Sequence, residues 1–157
     1  MSNYYFDLDG TLTKPLDKEL IEANYKSASE RKEKYIKRLG KVYFNQELQL
    51  LPIVPFGIIT ARPSKYKSIT IDWLRHYKLN PYIIIMPAHF LFGFKERADF
   101  KAKAINNFGV KIYYEDEAKI RKELETLCPD CKTKWPYSSV SDGNAIPPLL
   151  EDRVYVI

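Results

Sequence analysis

Short apolar runs alternate with stretches of helical spacing along most of this chain, and that alternation limits the fold more than any other feature. Strands are expected at Asn3 to Asp7, Phe56 to Thr60, Tyr82 to Met86 and Val110 to Tyr114. The second and third runs are apolar almost throughout, as expected of strands covered on both faces. Between them, Tyr66, Ile69, Trp73 and Tyr77 recur at helical spacing over 64–77, with Ser64 placed as a cap. A second helix is expected at Asp99 to Phe108, ended by Gly109, and a third at Glu117 to Leu127 with Ile120, Leu124 and Leu127 on one side. Strand and helix in turn predict an α/β fold built on a mainly parallel sheet flanked by helices. Arg153 to Ile157 reads as a late strand at a sheet edge.

A chain of 157 residues is long enough for one domain with a real core. No clean boundary or internal repeat interrupts it, so residues 1–157 read as a single domain. Residues 14–51 form a helical, cap-like insert. Its main helix is expected from Asp17 to Leu39, with Ile21, Tyr25, Ala28 and Tyr35 on one face, Asp17 as cap and Gly40 as stop. Residues 29–34 are polar on nearly every side, which fits a flap over a site or a helix outside the core. A short helix is expected over Phe44 to Leu51. The stretch from Cys128 to Leu150 is rich in Pro, Ser, Gly and Asp and reads as irregular.

No apolar run is long enough to span a membrane. The amino terminus shows no basic region followed by an apolar stretch and a cleavage site, so a cytoplasmic protein is expected. A net charge of +5 draws phosphate-rich partners weakly, because Lys and Arg are scattered. Twelve tyrosines suit base stacking or simply strands and cores. Phe90, Phe92 and Phe94 either tuck under their loop or line the mouth of a pocket. Cys128 and Cys131 form the only cysteine pair; an inert turn, a local disulfide and, last, a zinc site are the three readings.

Polar groups collect where the apolar strands finish. Asp7 and Asp9 stand two residues apart, spaced to face the same way if the strand continues. Gly10 then lets a ligand approach the backbone. Two adjacent carboxylates repel, and a divalent cation such as Mg²⁺ removes the conflict. Thr60-Ala61-Arg62 ends the second strand, with a hydroxyl and a guanidinium suited to an oxyanion. Glu115-Asp116 ends the fourth. In open parallel sheets a ligand sits beyond these carboxyl ends.

The string Asp7-Leu8-Asp9-Gly10-Thr11-Leu12-Thr13 resembles the first motif of the haloacid dehalogenase-like (HAD) hydrolases. Ile58-Ile59-Thr60-Ala61-Arg62-Pro63 resembles the second, and Glu115-Asp116 is similar to the fourth. The resemblance covers Tyr4 to about Leu127 and implies a Rossmann-like domain. It implies Asp7 as nucleophile and Asp9 as general acid and base. It also implies phosphate contacts at Thr60, Ala61 and Arg62, and Mg²⁺ bound by Asp7, Asp9 and Asp116, with Glu115 acting directly or through water. The third motif is a lysine. Lys95, Lys101 and Lys103 are candidates, and Lys101 is chosen. Asp at position 9 favours phosphatase or phosphotransferase chemistry within that family.

The expected activity is therefore Mg²⁺-dependent hydrolysis of a phosphate monoester through an aspartyl-phosphate. The substrate is a nucleotide or a nucleic-acid end, given the basic charge and aromatics, or else a small metabolite. A non-catalytic phosphate- or nucleic-acid-binding module on the same fold is the third class.

Overall fold

The computed structural model describes residues 3–15, 39–136 and 153–157. Six strands form one all-parallel sheet: β1 (Tyr4–Phe6), β2 (Gly57–Ile59), β3 (Ile83–Met86), β4 (Ile112–Tyr114), β5 (Lys132–Lys134) and β6 (Val154–Val156). Their order across the sheet is β5-β4-β1-β2-β3-β6. Among the described residues, α1 (Lys67–His76), α2 (Phe94–Phe108) and α3 (Ala118–Leu127) flank it. This is the Rossmann-like α/β arrangement that the alternation predicts.

The two faces follow from the two-residue period of a strand. Tyr5, Ile59, Ile83 and Ile85 pack with Ala98, Ile105, Ile120 and Leu124 under α2 and α3. Phe6, Ile58, Ile84 and Met86 pack with Ile71, Trp73 and Leu74 of α1. Gly57 has a specific reason to lack a side chain: a Cβ there would sit 2.5 Å from the Tyr5 ring and 2.8 Å from Ile83. β1 lies at the centre, paired with β2 on one side and β4 on the other. The chain leaves β1 towards β2 but leaves β4 towards β5, so the strand order reverses between β1 and β4. Such a reversal opens a crevice at the carboxyl ends.

Several boundaries differ from expectation. α2 starts at Phe94, where a loop to residue 98 is expected, so Lys101 stands well inside the helix rather than in its first turn. Gly93 precedes it and Glu96 accepts a bond from the Phe92 amide at 3.0 Å, a start signal hidden among aromatics. Gly109 closes α2 at φ +61°, the left-handed conformation glycine adopts without a Cβ penalty. Residues 64–66 form a 3-10 turn, and the Ser64 hydroxyl donates to the Ala88 carbonyl instead of capping. Residues 39–45 are helical, so Gly40 lies within a helix rather than at its end. Of the short helix expected over 44–51, only 44 and 45 are helical, and 46–51 form a return without helix. Leu48 bridges Thr13 in antiparallel fashion, and Gln49 and Leu50 donate to the Leu12 carbonyl. β5 lies within the stretch read as irregular, a three-residue edge strand with exposed lysines at both ends. The helix positions Asp17, Ile21, Tyr25, Ala28 and Tyr35, and the tail from 137 to 150, lie outside the described residues.

Cys128 and Cys131 are free, buried thiols flanking a turn. No helix among the described residues is long and apolar enough to cross a membrane.

Candidate active site

The reversal between β1 and β4 brings two carboxylates side by side. Phe6 pairs with Tyr114, so the next residues, Asp7 and Glu115, emerge together. The Asp7 amide donates to the Tyr114 carbonyl at 2.9 Å and the Glu115 amide to the Lys134 carbonyl at 3.0 Å, which fixes both at the sheet's rim. Asp116 follows. Oxygens of Asp7, Glu115 and Asp116 lie within 4.8 Å of one another.

Lys101 reaches this trio from α2. Its Nζ is 2.7 Å from Glu115 Oε2 and 3.3 Å from Asp7 Oδ1. All three side chains are buried, with Lys101 at 3% exposure. Lys95 and Lys103 are exposed, and Lys95 pairs with Asp99. Burial alone would lower the Lys101 pKa, but Asp7 and Glu115 outweigh it and hold the ammonium charged. Burial and then the Glu115 charge push the Asp7 carboxyl well up, against the pull of Lys101. Asp116 is raised by burial and by Glu115 in the same way. One ammonium does not balance three carboxylates, and burial first, then the Glu115 charge, raises Asp7 and Asp116. Hard oxygen donors in surplus over local cations can hold a metal ion.

Asp9 is placed differently. β1 ends at Phe6, and Leu8–Leu12 forms a tight loop in which Gly10 adopts φ +82°. The Asp9 carboxylate therefore lies outside the close trio and meets Arg62. The Arg62 Nε donates to Asp9 Oδ2 at 3.0 Å and Nη2 to Oδ1 at 2.6 Å. Nη1 donates to Thr70 Oγ1 at 3.2 Å, and Nη2 also reaches Gln46 Oε1. The guanidinium stacks over the Tyr43 ring, 3.9 Å from its centroid. Arg62, expected as a phosphate contact, thus has its fork engaged by Asp9, Gln46 and Thr70. Thr60 is fully buried, and its hydroxyl oxygen accepts from the Arg62 amide at 3.2 Å.

Gly10 has a second reason for its identity. A Cβ there would land on the Asp116 carboxylate, 2.7 Å from its Cγ. Thr11 Oγ1 lies 3.4 Å from Asp116 Oδ1. Arg121 of α3 donates to the carbonyls of Glu115 and Asp116 at 2.6 and 2.9 Å and fastens the end of β4. Sequence reasoning passed over Gln46, Thr70 and Arg121. Only Arg121 carried a local signal, a cation one helical turn and a half beyond the acid pair.

Asp7, Asp9, Ala61, Arg62, Lys101, Glu115 and Asp116 share the rim of one cavity of about 460 Å³. Phe90, Leu91 and Tyr43 supply its apolar side. Thr60 lies beneath the surface of this cavity rather than on it.

No family model matches the sequence, and no curated protein matches it. A chain in the solved structure of the Pnkp1/Rnl/Hen1 RNA repair complex is similar in three dimensions, with a TM-score of 0.50 and 13% identity. The match covers 87% of this chain and 43% of that one, so this chain spans less than half of its neighbour's length. At that identity the likeness concerns the fold.

Proposed function

We propose that this chain is a Mg²⁺-dependent phosphatase of the HAD type, hydrolysing a phosphate monoester through an aspartyl-phosphate on Asp7. The reading treats the chain as one catalytic domain with a cap-like insert at 14–51. The observation that carries it is the meeting of buried Asp7, Glu115 and Lys101 with half-buried Asp116 at the strand reversal.

The donor set fits Mg²⁺. Three carboxylates face one ammonium, and two of the carboxyls, Asp7 and Asp116, are raised by burial and then by the Glu115 charge. Asp7, Asp116 and Glu115 would hold the ion, with Asp9 close by in the same cavity. When bound, Mg²⁺ neutralises this crowding and the charge of a phosphoryl group.

The remaining steps belong to the chain. An Asp7 oxygen attacks phosphorus in line, and the bond from phosphorus to the leaving oxygen breaks. Asp9, paired with Arg62 as a carboxylate in the free protein, must take up a proton with the substrate and gives it to that oxygen. Asp9 then takes a proton from water, whose oxygen attacks the acylphosphate and releases inorganic phosphate and free Asp7. Lys101 holds charge on the phosphoryl oxygens. Ala61 presents its backbone there. Thr60 accepts from the Arg62 amide and braces this loop from beneath the cavity. The fold neighbour's place in an RNA repair complex favours a nucleotide or nucleic-acid end as substrate.

The test is phosphate release from an aryl phosphate, from nucleotides, and from DNA and RNA with terminal phosphates, each with Mg²⁺ and with a chelator. Mg²⁺-dependent release that disappears in Asp7→Asn supports the reading. Full activity in Asp7→Asn, or no release from any ester, overturns it.

A further inference from the structure

Arg97 stands four residues before Lys101 on α2, so the two side chains leave the same face of the helix, about 6 Å apart along its axis. Both line the acidic cavity. α2 carries the chain from the carboxyl end of β3 back to the start of β4, which puts Arg97 nearer the mouth and Lys101 deeper. Exposure agrees: Lys101 is buried, while the Arg97 side chain is 29% exposed.

Among the described residues three cations line this cavity, and two are committed. The Arg62 fork is held by Asp9, Gln46 and Thr70. Lys101 is shared between Asp7 and Glu115. Arg97 differs. Its partner is Glu117, and a single nitrogen, Nη2, makes both bonds, at 3.1 and 3.3 Å to the two carboxylate oxygens. Nε and Nη1 make no hydrogen bond among the described residues. The Glu117 side chain is 42% exposed, and an ion pair so open to water holds weakly. Arg97 can therefore take a second anion through its remaining donors without breaking a buried bond.

A phosphoryl group alone does not fill a cavity of about 460 Å³. Carboxylates crowd the floor and repel any further negative charge on the substrate. Arg97 is the place on the described rim where such a charge is favoured, one helical turn above the ammonium that meets the phosphoryl oxygens.

We propose that Arg97 is a specificity-determining residue that binds a second phosphate of the substrate. The preferred ester is then a phosphomonoester with another phosphate close by, as in a nucleoside bisphosphate or the phosphodiester beside a nucleic-acid end. This rests on the phosphatase reading above and adds what the leaving group must carry.

The test isolates the second phosphate. Adenosine 5′-monophosphate is compared by calorimetry with adenosine 3′,5′-bisphosphate and with adenosine dinucleotides phosphorylated at the 5′ or the 3′ end. The protein is Asp7→Asn in Mg²⁺ buffer, which does not consume them. The same titrations follow in that background with Arg97→Gln, Arg97→Lys and Glu117→Gln. At least one compound with a second phosphate is expected to bind about ten-fold or more tightly than the monophosphate. Preference for the bisphosphate points to a second monoester, and preference for a dinucleotide alone points to a diester. Arg97→Gln should bring the preference to near unity, Arg97→Lys should keep part of it, and Glu117→Gln should keep or increase it. The preference is a ratio within one sample, so a loss of folded protein does not imitate the effect. No preference in the parent, no binding of any compound, or an unchanged ratio in Arg97→Gln overturns the assignment. Equal loss in Glu117→Gln also overturns it, because the ion pair and not the cation would then set the preference. The underlying phosphatase reading fails separately, if intact protein with Mg²⁺ releases no phosphate from any ester while the preference set by Arg97 persists.

Discussion

Arg62 grips the Asp9 carboxylate through two nitrogens, Nε at 3.0 Å and Nη2 at 2.6 Å, from a position that is itself 1% exposed. A buried guanidinium with a second set of bonds to Gln46 and Thr70 has little freedom to leave that carboxylate. Arg62 therefore acts through Asp9 as a positioning residue. Arg62→Lys keeps the charge but loses the planar fork. We expect kcat to fall about 10–100-fold with KM little changed, the pattern of a group that matters when the proton moves. Arg62→Ala, which leaves Gln46, Thr70 and Asp9 without their donor, should destabilise by about 3 kcal/mol in urea unfolding. A kcat equal to that of the parent in Arg62→Lys would show that the fork does not matter.

Asp7→Asn removes one of three crowded negative charges. Because burial and Glu115 hold the Asp7 carboxyl well above its usual range, the neutral amide suits the metal-free fold at least as well. The variant should lose phosphate release by about 10³-fold or more while its Tm without metal equals or exceeds that of the parent. A drop in Tm without metal would mean that Asp7 serves the fold.

Gly10→Ala should act on the metal rather than on the fold. The added Cβ displaces the Asp116 carboxylate, and φ +82° strains any non-glycine residue by about 1 kcal/mol or more. Mg²⁺ at a hundred times its Kd should stabilise the parent by about 2.7 kcal/mol, read as a rise in Tm. That rise should shrink sharply in Gly10→Ala and in Asp116→Asn. An undiminished rise in both would remove Asp116 from the metal site.

Cys131 offers a pH test remote from the site. Burial, with the neighbouring Cys128 thiol adding to it, pushes its pKa from 9.0 up to about 11. Between those values the unfolded chain has lost the proton and the folded one keeps it. The unfolded state then binds fewer protons, so stability falls as pH rises from about 9 to 11. Alkylation by iodoacetamide at pH 8.5 should be slow in native protein and rapid after unfolding. Fast native labelling of both thiols would contradict the burial.

The sheet was legible because its central strands are apolar on both faces, and nothing but a covered parallel strand accommodates Ile83-Ile84-Ile85-Met86. The acids at the ends of β1 and β4 were legible because charge abruptly follows such runs. β5 was not: Lys132-Thr133-Lys134 is short, polar and at an edge, where one neighbour suffices. The start of α2 was hidden because Phe90, Phe92 and Phe94 mask the change of period. The partner of Asp9 was half visible. Arg62 stood out, but its inward bonds go to Thr70 on α1 and to Gln46, whose nearness depends on how residues 46–50 return along the Asp9 loop.

That return has a further consequence. Thr13 and Leu48 bridge, the Lys14 amide meets the Glu47 carbonyl, and Gln46 and Gln49 bond back to Thr13 and to the Gly10 carbonyl. Where the polypeptide departs at Pro15 and where it comes back are thus stitched together at the neck. A change at this seam is felt at the carboxylates, because Gln46 of the returning segment also reaches Arg62, which holds Asp9.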